Sequence, residues 1–310
     1  MLVSATSVAR KGTTELFAHI ALLPSLRLLA VHRSGLRYNW WHAPASAAPR
    51  TGWIGFNVVL GGGFTSLGET VSESRPVRNE RSAWLYSEDD FEGSLGRRRH
   101  AFCAHGDPFQ SVAVHVQPAL TPFRVRQDGR PEQLVVPRSL YAACERYLAA
   151  TQRGVAASEW SSFAREVAEA LKAAGWLTPA VDVTMPTEGD ARISDVLSQI
   201  IGRFDPSAQL AEFADRSAIT PRRVDRLLRS WIAEYGLPNE SWRAVSHRWR
   251  LKMAVMLCSS VDYSVAEVAR VVGYTSTNAM TNAFATAGLP PPSWYRTTDL
   301  LQAGPARDTT

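Results

Sequence analysis

With 310 residues, 45% of them apolar, the chain is long enough for about two domains with cores of their own and too apolar for a disordered polymer. Its net charge of +5 suits an anionic partner without specifying one. The three cysteines, Cys103, Cys144 and Cys258, form no CxxC and no zinc spacing, which excludes a disulfide framework and fits a reduced, cytoplasmic setting with the thiols as small buried apolar groups.

The opening MLVSATSVARKGTT lacks the sustained apolar core of a secretory leader and reads as a loose tail over residues 1–14. The longest apolar run, IALLP followed by LRLLAV, is interrupted by Pro24 and Arg27, so no membrane span is expected. From residue 15 to about 137, short β-prone runs alternate with Gly, Pro, Asn and Ser clusters: LRLLAVHR, WIGFNVVLGG, FTSLGETV, SAWLYS, HAFCAH, QSVAVHVQ, FRVRQ and EQLVV. Val112, Val114 and Val116 fall on one face of such a strand. Short strands at this spacing predict a sandwich or barrel.

Gly61-Gly62-Gly63 reads as a turn between strands. No Lys or helix start follows it, so it is no phosphate loop. His100, His105 and His115 lie near Glu88, Asp89, Asp90 and Asp107 but lack an H-x-H pair, so neither a metal site nor a cofactor is expected. No catalytic constellation stands out. Arg97-Arg98-Arg99 is a basic loop, and Trp40, Trp41, His42 and Trp53 either line a pocket or fill a core.

Two helices follow at a 3.6-residue period. Residues 139–151 carry Leu140, Ala143, Cys144, Tyr147 and Leu148 on one face; residues 159–174 carry Phe163, Val167, Ala170 and Leu171, with Gly175 as C-cap. They form a hairpin that either packs on the β region or dimerises. TPAVDVTMPTEG, residues 178–189, reads as an interdomain linker. A helix then carries Ile193, Val196, Leu197, Ile200 and Ile201 and stops before Pro206. The expected class is α+β: a β-rich N-terminal domain over 15–177 with its helical hairpin, a linker, and an all-α domain over 190–300.

That last domain holds a repeat. LAEFADRSAIT (210–220) and VAEVARVVGYT (265–275) match at Ala211/Ala266, Ala214/Ala269 and the closing Thr. Each copy reads as an apolar helix, a tight turn and a capped second helix, the pattern of a helix-turn-helix. In the first copy Ala218 holds the turn position that Gly273 holds in the second, so Ala218 must adopt a left-handed backbone at some strain. Thr220 then caps and Pro221 sits at N1. The next helix turns Val224, Leu227, Leu228 and Trp231 inward and Arg222, Arg223, Asp225, Arg226 and Arg229 outward. Arginine on the N-terminal half of such a helix can bond guanine O6 and N7 or clamp phosphates. Asp225 either accepts from cytosine or orients an arginine.

In the second copy Ser264 caps the first helix, Val265, Val268, Ala269 and Val272 face inward, and Met280, Ala283 and Phe284 line the second helix's inner side. Thr277, Asn278, Thr281 and Asn282 face out; Asn can read adenine and Thr a thymine methyl. Between the copies runs SWRAVSHRWRLKMAVMLCSS, a helix of about 20 residues and roughly 30 Å, against about 34 Å for a turn of B-DNA. Trp242, Val245, Trp249, Met253 and Met256 form its apolar series. Arg243, His247, Arg248 and Lys252 are either phosphate contacts or solvated.

Residues 190–296 resemble the DNA-binding domain of AraC/XylS-type transcriptional regulators. The resemblance rests on LAEFADRSAITPRRVDRLLR, on Arg250-Leu251 with Ala254 and Leu257, on SVAEVARVVGYTSTNAMTNAF, and on Gly288, Pro291 or Pro292 and Tyr295-Arg296. It implies a seven-helix domain with two helix-turn-helix units on a long helix, and a variable N-terminal domain, often a cupin-like β-barrel, that senses an effector or dimerises. It implies double-stranded DNA as partner, with a small-molecule effector, a second copy and RNA polymerase as further partners, and no membrane. Arg222, Asp225 and Arg226 match base-reading positions of the first unit and Thr277, Asn278, Thr281 and Asn282 those of the second; Arg250 has a structural, ion-pairing role. Asn282 stands where the family usually has Arg, and Ala285-Thr286 where it has Lys or Arg. Two other classes remain: a regulator whose N-terminal domain binds only protein, and an enzyme, such as a repair methyltransferase, fused to a DNA-binding domain.

Overall fold

The computed structural model describes residues 3–23, 26–36, 52–67, 75–77, 81–87, 101–126, 132–154, 157–181, 210–234 and 241–297. Eight strands make one antiparallel sheet: β1 (Val3–Lys11), β2 (Thr14–Leu23), β3 (Leu26–Ser34), β4 (Ile54–Leu67), β5 (Arg75–Val77), β6 (Ser82–Ser87), β7 (Ala101–Val116) and β8 (Glu132–Val135). Their order is β1-β2-β3-β7-β4-β6-β8, with β5 paired to β4. Among the described residues this is an open path, and with the helices behind it the fold is α+β.

The opening residues are no tail. Val3–Lys11 is a full strand, paired from Val3↔Leu22 to Lys11↔Thr14 around the tight turn at Gly12, whose φ is +56°. Its cross-strand partners give it a place that its own weak alternation does not announce. Gly61-Gly62-Gly63 is likewise not a turn. It lies inside β4, where the register against β7 shifts between Val59 and Gly61 and again between Gly61 and Gly63. Glycine suits such a bulge because the locally kinked backbone visits positive φ, as Gly62 does at +68°. The runs HAFCAH and QSVAVHVQ fuse into β7, whereas FRVRQ is irregular.

Helices α1 (Arg138–Gln152) and α2 (Ala157–Ala173) form the anticipated hairpin and pack on the sheet. Phe17, Leu28, Ala30, Phe56, Val58, Val112 and Val114 meet Ala143, Cys144, Tyr147, Trp160, Val167 and Leu171 in one buried cluster. Arg146 pairs with Glu166 across the exposed side. The first linker residues join this core: Thr178 N–H donates to Leu120 O at 2.9 Å and Val181 is buried. The rest of the linker and the expected helix from 190 lie outside the described residues.

The other face of β3 carries two buried arginines. The Arg27 guanidinium lies 3.9 Å from the ring centroid of Trp53, and that of Arg33 lies 4.5 Å from Phe109. Trp53 is thus a buried platform. Trp40, Trp41, His42, Arg97-Arg98-Arg99, His100 and Glu88-Asp89-Asp90 lie outside the described residues. His115 bonds the Tyr86 hydroxyl at 2.8 Å.

His19 on β2 is buried between the sheet and the hairpin, against Tyr147 and Trp160, with Nδ1 2.8 Å from Thr6 Oγ1. Burial pushes its pKa from 6.5 down to about 3. The unfolded chain takes up this proton near pH 6.5; the folded chain refuses it until about pH 3. Acid therefore favours unfolding inside that window, and stability falls as pH drops through it, by at most about 1.4 kcal/mol per pH unit. His19→Phe should flatten the decline of urea stability between pH 6.5 and 4; an unchanged slope would assign the decline to other groups.

Candidate nucleic-acid interface

Helices α3 (Leu210–Ser217) and α4 (Pro221–Glu234) make the first helix-turn-helix, and α6 (Val265–Val271) and α7 (Thr277–Thr286) the second. Between them runs α5 (Trp242–Cys258), and α8 (Trp294–Thr297) closes the domain. Most of the positions read as inward are buried; Leu227, Val265 and Ala283 are half-buried, and the Trp231 side chain lies outside the described ones. Phe213, Ala214, Val224 and Leu228 are buried in the first unit, joined by Ile232; Val268, Ala269, Val272, Met280 and Phe284 are buried in the second.

The turns differ as their residues require. Ala218 has φ +53° and Gly273 +78°. In both, an amide beyond the turn residue reaches back to the first helix: Ile219 N–H to Ala214 O at 3.1 Å, and Tyr274 N–H to Ala269 O at 2.7 Å. A Cβ in this conformation is disfavoured by about 1 kcal/mol against glycine. Both helices of the second unit carry serine caps. Ser264 accepts from Glu267 N–H, and the Glu267 carboxylate accepts from Ser264 N–H at 2.8 Å, a reciprocal capping box. Ser276 caps α7 by accepting from Ala279 N–H at 3.1 Å.

On α4 the side chains of Arg222, Arg223, Arg226 and Arg229 are exposed and Asp225 is half-buried. Arg229 Nε donates to Asp225 Oδ2 at 2.8 Å, so Asp225 orients Arg229. Arg222 and Arg226 stand one turn apart on the N-terminal half, the half a recognition helix inserts into the major groove. On α7, Asn278 and Asn282 are exposed one turn apart, with Thr277 and Thr281 half-buried beside them. Helix α7 carries no charged side chain, so its outer face offers hydrogen bonds and methyl groups only.

The joining helix has 17 residues, starting at the N-cap Ser241, about 25 Å by rise. It is shorter than the sequence suggests because Ser259 and Ser260 leave the helix. Its two halves differ. Trp242 lies edge-on to Phe213 of the first unit, ring centroids 5.9 Å apart. From Leu251 to Ser260 every residue is buried. The candidate Lys252 falls in this enclosed stretch and is 9% exposed. Arg243 is exposed at the helix start; the Arg248 side chain lies outside the described ones. His247 sits between Arg250 and Tyr274. Arg250 donates from Nη1 to Gly273 O at 3.2 Å, with its guanidinium 4.8 Å from the Tyr274 ring centroid. It therefore ties α5 to the second unit's turn through a backbone carbonyl and a ring.

Residues absent from the sequence-based set also meet at the second unit. Asp262 and Glu267 bond Thr13, Thr14 and Lys11 of the N-terminal sheet. No local spacing marks them, since their partners lie about 250 positions away.

Two helix-turn-helix units on one joining helix, behind an antiparallel sheet, define a double helix-turn-helix architecture. The chain matches no protein-family model and no curated protein sequence. Among solved structures it is similar to ToxT from Vibrio cholerae O395, at 11% identity over 87% of this chain and 97% of that one, with a TM-score of 0.35. It is similar to unsaturated-fatty-acid-bound ToxT from Vibrio cholerae strain SCE256 at 10% identity over 88% and 95%, TM-score 0.34. The AraC-like transcriptional activator CuxR is similar at 11% identity over 76% and 80%, TM-score 0.27. At these values the likeness says nothing about what this chain binds.

Two outcomes follow from the turns. Ala218→Gly should raise stability by about 0.5–1 kcal/mol in urea titrations, because it removes the Cβ from a left-handed position. Arg250→Lys should lower it by about 1–2 kcal/mol despite keeping the charge, because lysine lacks the planar fork that bonds Gly273 and covers Tyr274. Equal stability of the two proteins in the second test would leave Arg250 without the tying role.

Proposed function

We propose that the chain is a sequence-specific DNA-binding transcriptional regulator of the AraC/XylS type. The carrying observation is the exposed arginine set of α4, with Arg222, Arg223 and Arg226 at the N-terminal half of the second helix of a helix-turn-helix. In this reading Arg222 and Arg226 bond base edges and phosphates in one major groove, Arg223 and Arg229 reach the flanking backbone, and Asp225 orients Arg229. Thr277, Asn278, Thr281 and Asn282 read a neighbouring groove, with Arg243 and Arg248 as phosphate contacts. Residues 15–177 with strand β1 form the sensing or dimerising domain, 178–189 the linker and 190–300 the DNA-binding domain. A small-molecule effector, a second copy of the chain and RNA polymerase are its further partners, in the cytoplasm.

An enzyme fused to this domain finds little support in the thiols. Cys144 and Cys258 are buried, and burial raises both, Cys258 to about 12, away from the thiolate that methyl transfer needs. The side chain of Cys103 lies outside the described ones.

The arginine-rich unit dominates affinity, since its second helix carries four exposed arginines and the second helix of the other unit carries no charge. Genome-wide footprinting with purified protein would supply a target fragment. On that fragment Arg226→Ala should weaken binding by about 1–3 kcal/mol, tenfold or more, and flatten the salt dependence, while Asn282→Ala costs less. An equal or larger loss for Asn282→Ala would refute the dominance of the first unit.

A further inference from the structure

The turn between β1 and β2 is docked on the second helix-turn-helix unit. One carboxylate oxygen, Asp262 Oδ2, accepts from Thr13 N–H at 2.9 Å, Thr13 Oγ1 at 2.9 Å, Thr14 N–H at 2.8 Å and Thr14 Oγ1 at 2.8 Å. Thr14 Oγ1 also lies 2.7 Å from Ser260 Oγ, in a buried contact. A hydroxyl has one proton to give. Thr14 therefore gives its own to Asp262 and accepts that of Ser260. Ser260 Oγ in turn accepts from Asp262 N–H at 2.9 Å and Tyr263 N–H at 3.3 Å. Beside this network Lys11 Nζ meets Glu267 Oε1 at 2.7 Å, while the other oxygen of Glu267 holds the α6 capping box. Leu36 forms an antiparallel bridge with Ser260. At Gly12 the fit leaves no room, since a Cβ there would lie 2.8 Å from Asp262 Cγ.

Apolar burial repeats the pattern. Ala9, Leu16 and Leu36 of the N-terminal region share one core with the C-terminal half of α5 and with Val268, Ala269, Met280 and Phe284. The buried residues of the first unit, Phe213, Val224 and Leu228, lie outside that core. The first unit meets α5 at its other end, through Trp242.

We propose that the N-terminal sheet and the second helix-turn-helix unit form one mechanical body, clasped at Asp262, so that changes in the N-terminal domain set the second reader and leave the first to swing on α5. The clasp is a conformational device. It resides where α6 begins, at the Ser264–Glu267 box, and leaves the outer face of α7 open, with Asn278 and Asn282 exposed. It therefore governs where the second unit sits relative to DNA and does not cover its reading face. This regulation rests on the DNA-binding reading above; the clasp itself does not.

The test starts from the sheet side, so that any effect on the second unit must be transmitted. In the full chain, the double substitution Thr14→Val and Lys11→Ala keeps the shape of a buried threonine and its backbone N–H bond to Asp262, while deleting the hydroxyl's bonds to Asp262 and Ser260 and the ion pair to Glu267. Amide hydrogen exchange should then speed up roughly tenfold over residues 264–286, the order expected for losing hydrogen bonds to a charged acceptor. Residues 210–234 should be unchanged. Asp262→Ala, approached from the other side, should speed exchange at residues 11–16 as well as 264–286. Unchanged exchange over 264–286 in the double variant, or equal acceleration over 210–234, would overturn the proposal. Loss of protection throughout the sheet would mean that the double variant had unfolded, and Asp262→Ala alone would then decide by the same two segments. On the DNA fragment selected by the wild-type protein, the double variant should lose protection in one groove and keep it in the next. If wild-type protein selects no fragment, the DNA-binding reading fails while the exchange data still decide the clasp.

Discussion

The complete burial of the C-terminal half of α5 is the constraint on which the domain arrangement depends. A helix enclosed on all sides needs partners on all sides. Here the second helix-turn-helix covers part of it, and Ala9, Leu16 and Leu36 contribute from the sheet region. The sheet is thus more than a neighbour of the DNA-binding half; it supplies part of its core. The same enclosure explains why Cys258 is inert and why Lys252 is withdrawn from solvent.

The two helix-turn-helix units share a fold and differ in how firmly they are made. The second has glycine in its turn, a reciprocal capping box, Arg250 tied to its turn and the shared core beneath it. The first has an alanine in a left-handed turn, and it carries the arginines. Charge and rigidity are therefore divided between the copies. Among the described residues, the arginine-bearing unit lies outside the core shared with the sheet, and the unit whose second helix is uncharged lies within it.

What the sequence disclosed was largely local. Helix periods, the cap Ser264, the strain at Ala218 and the outward arginines of α4 depend on residues within a few positions of each other, and each is found as read. The hairpin of α1 and α2 was legible as helices but not in its packing, because either use of its apolar face has the same pattern. Strand β1, the glycine bulge in β4 and the burial of Lys252 were missed for one reason: each is imposed by a partner distant in sequence. VSATSVARK carries little β signal until β2 pairs with it. Lys252 looks solvated until a second domain closes over its helix. The clasp residues are the extreme case, since a lone Asp after a serine pair announces nothing.

The separation of those clasp partners bears on how the protein is made. Thr14 and Asp262 stand 248 positions apart, and Lys11 and Glu267 256. A ribosome releases the β1–β2 turn well before residue 262, and its amides have no acceptor from this source until that residue has emerged. The sheet must hold its own shape throughout that interval. Closure of the turn on the second unit must wait for residues made 248 and 256 positions later.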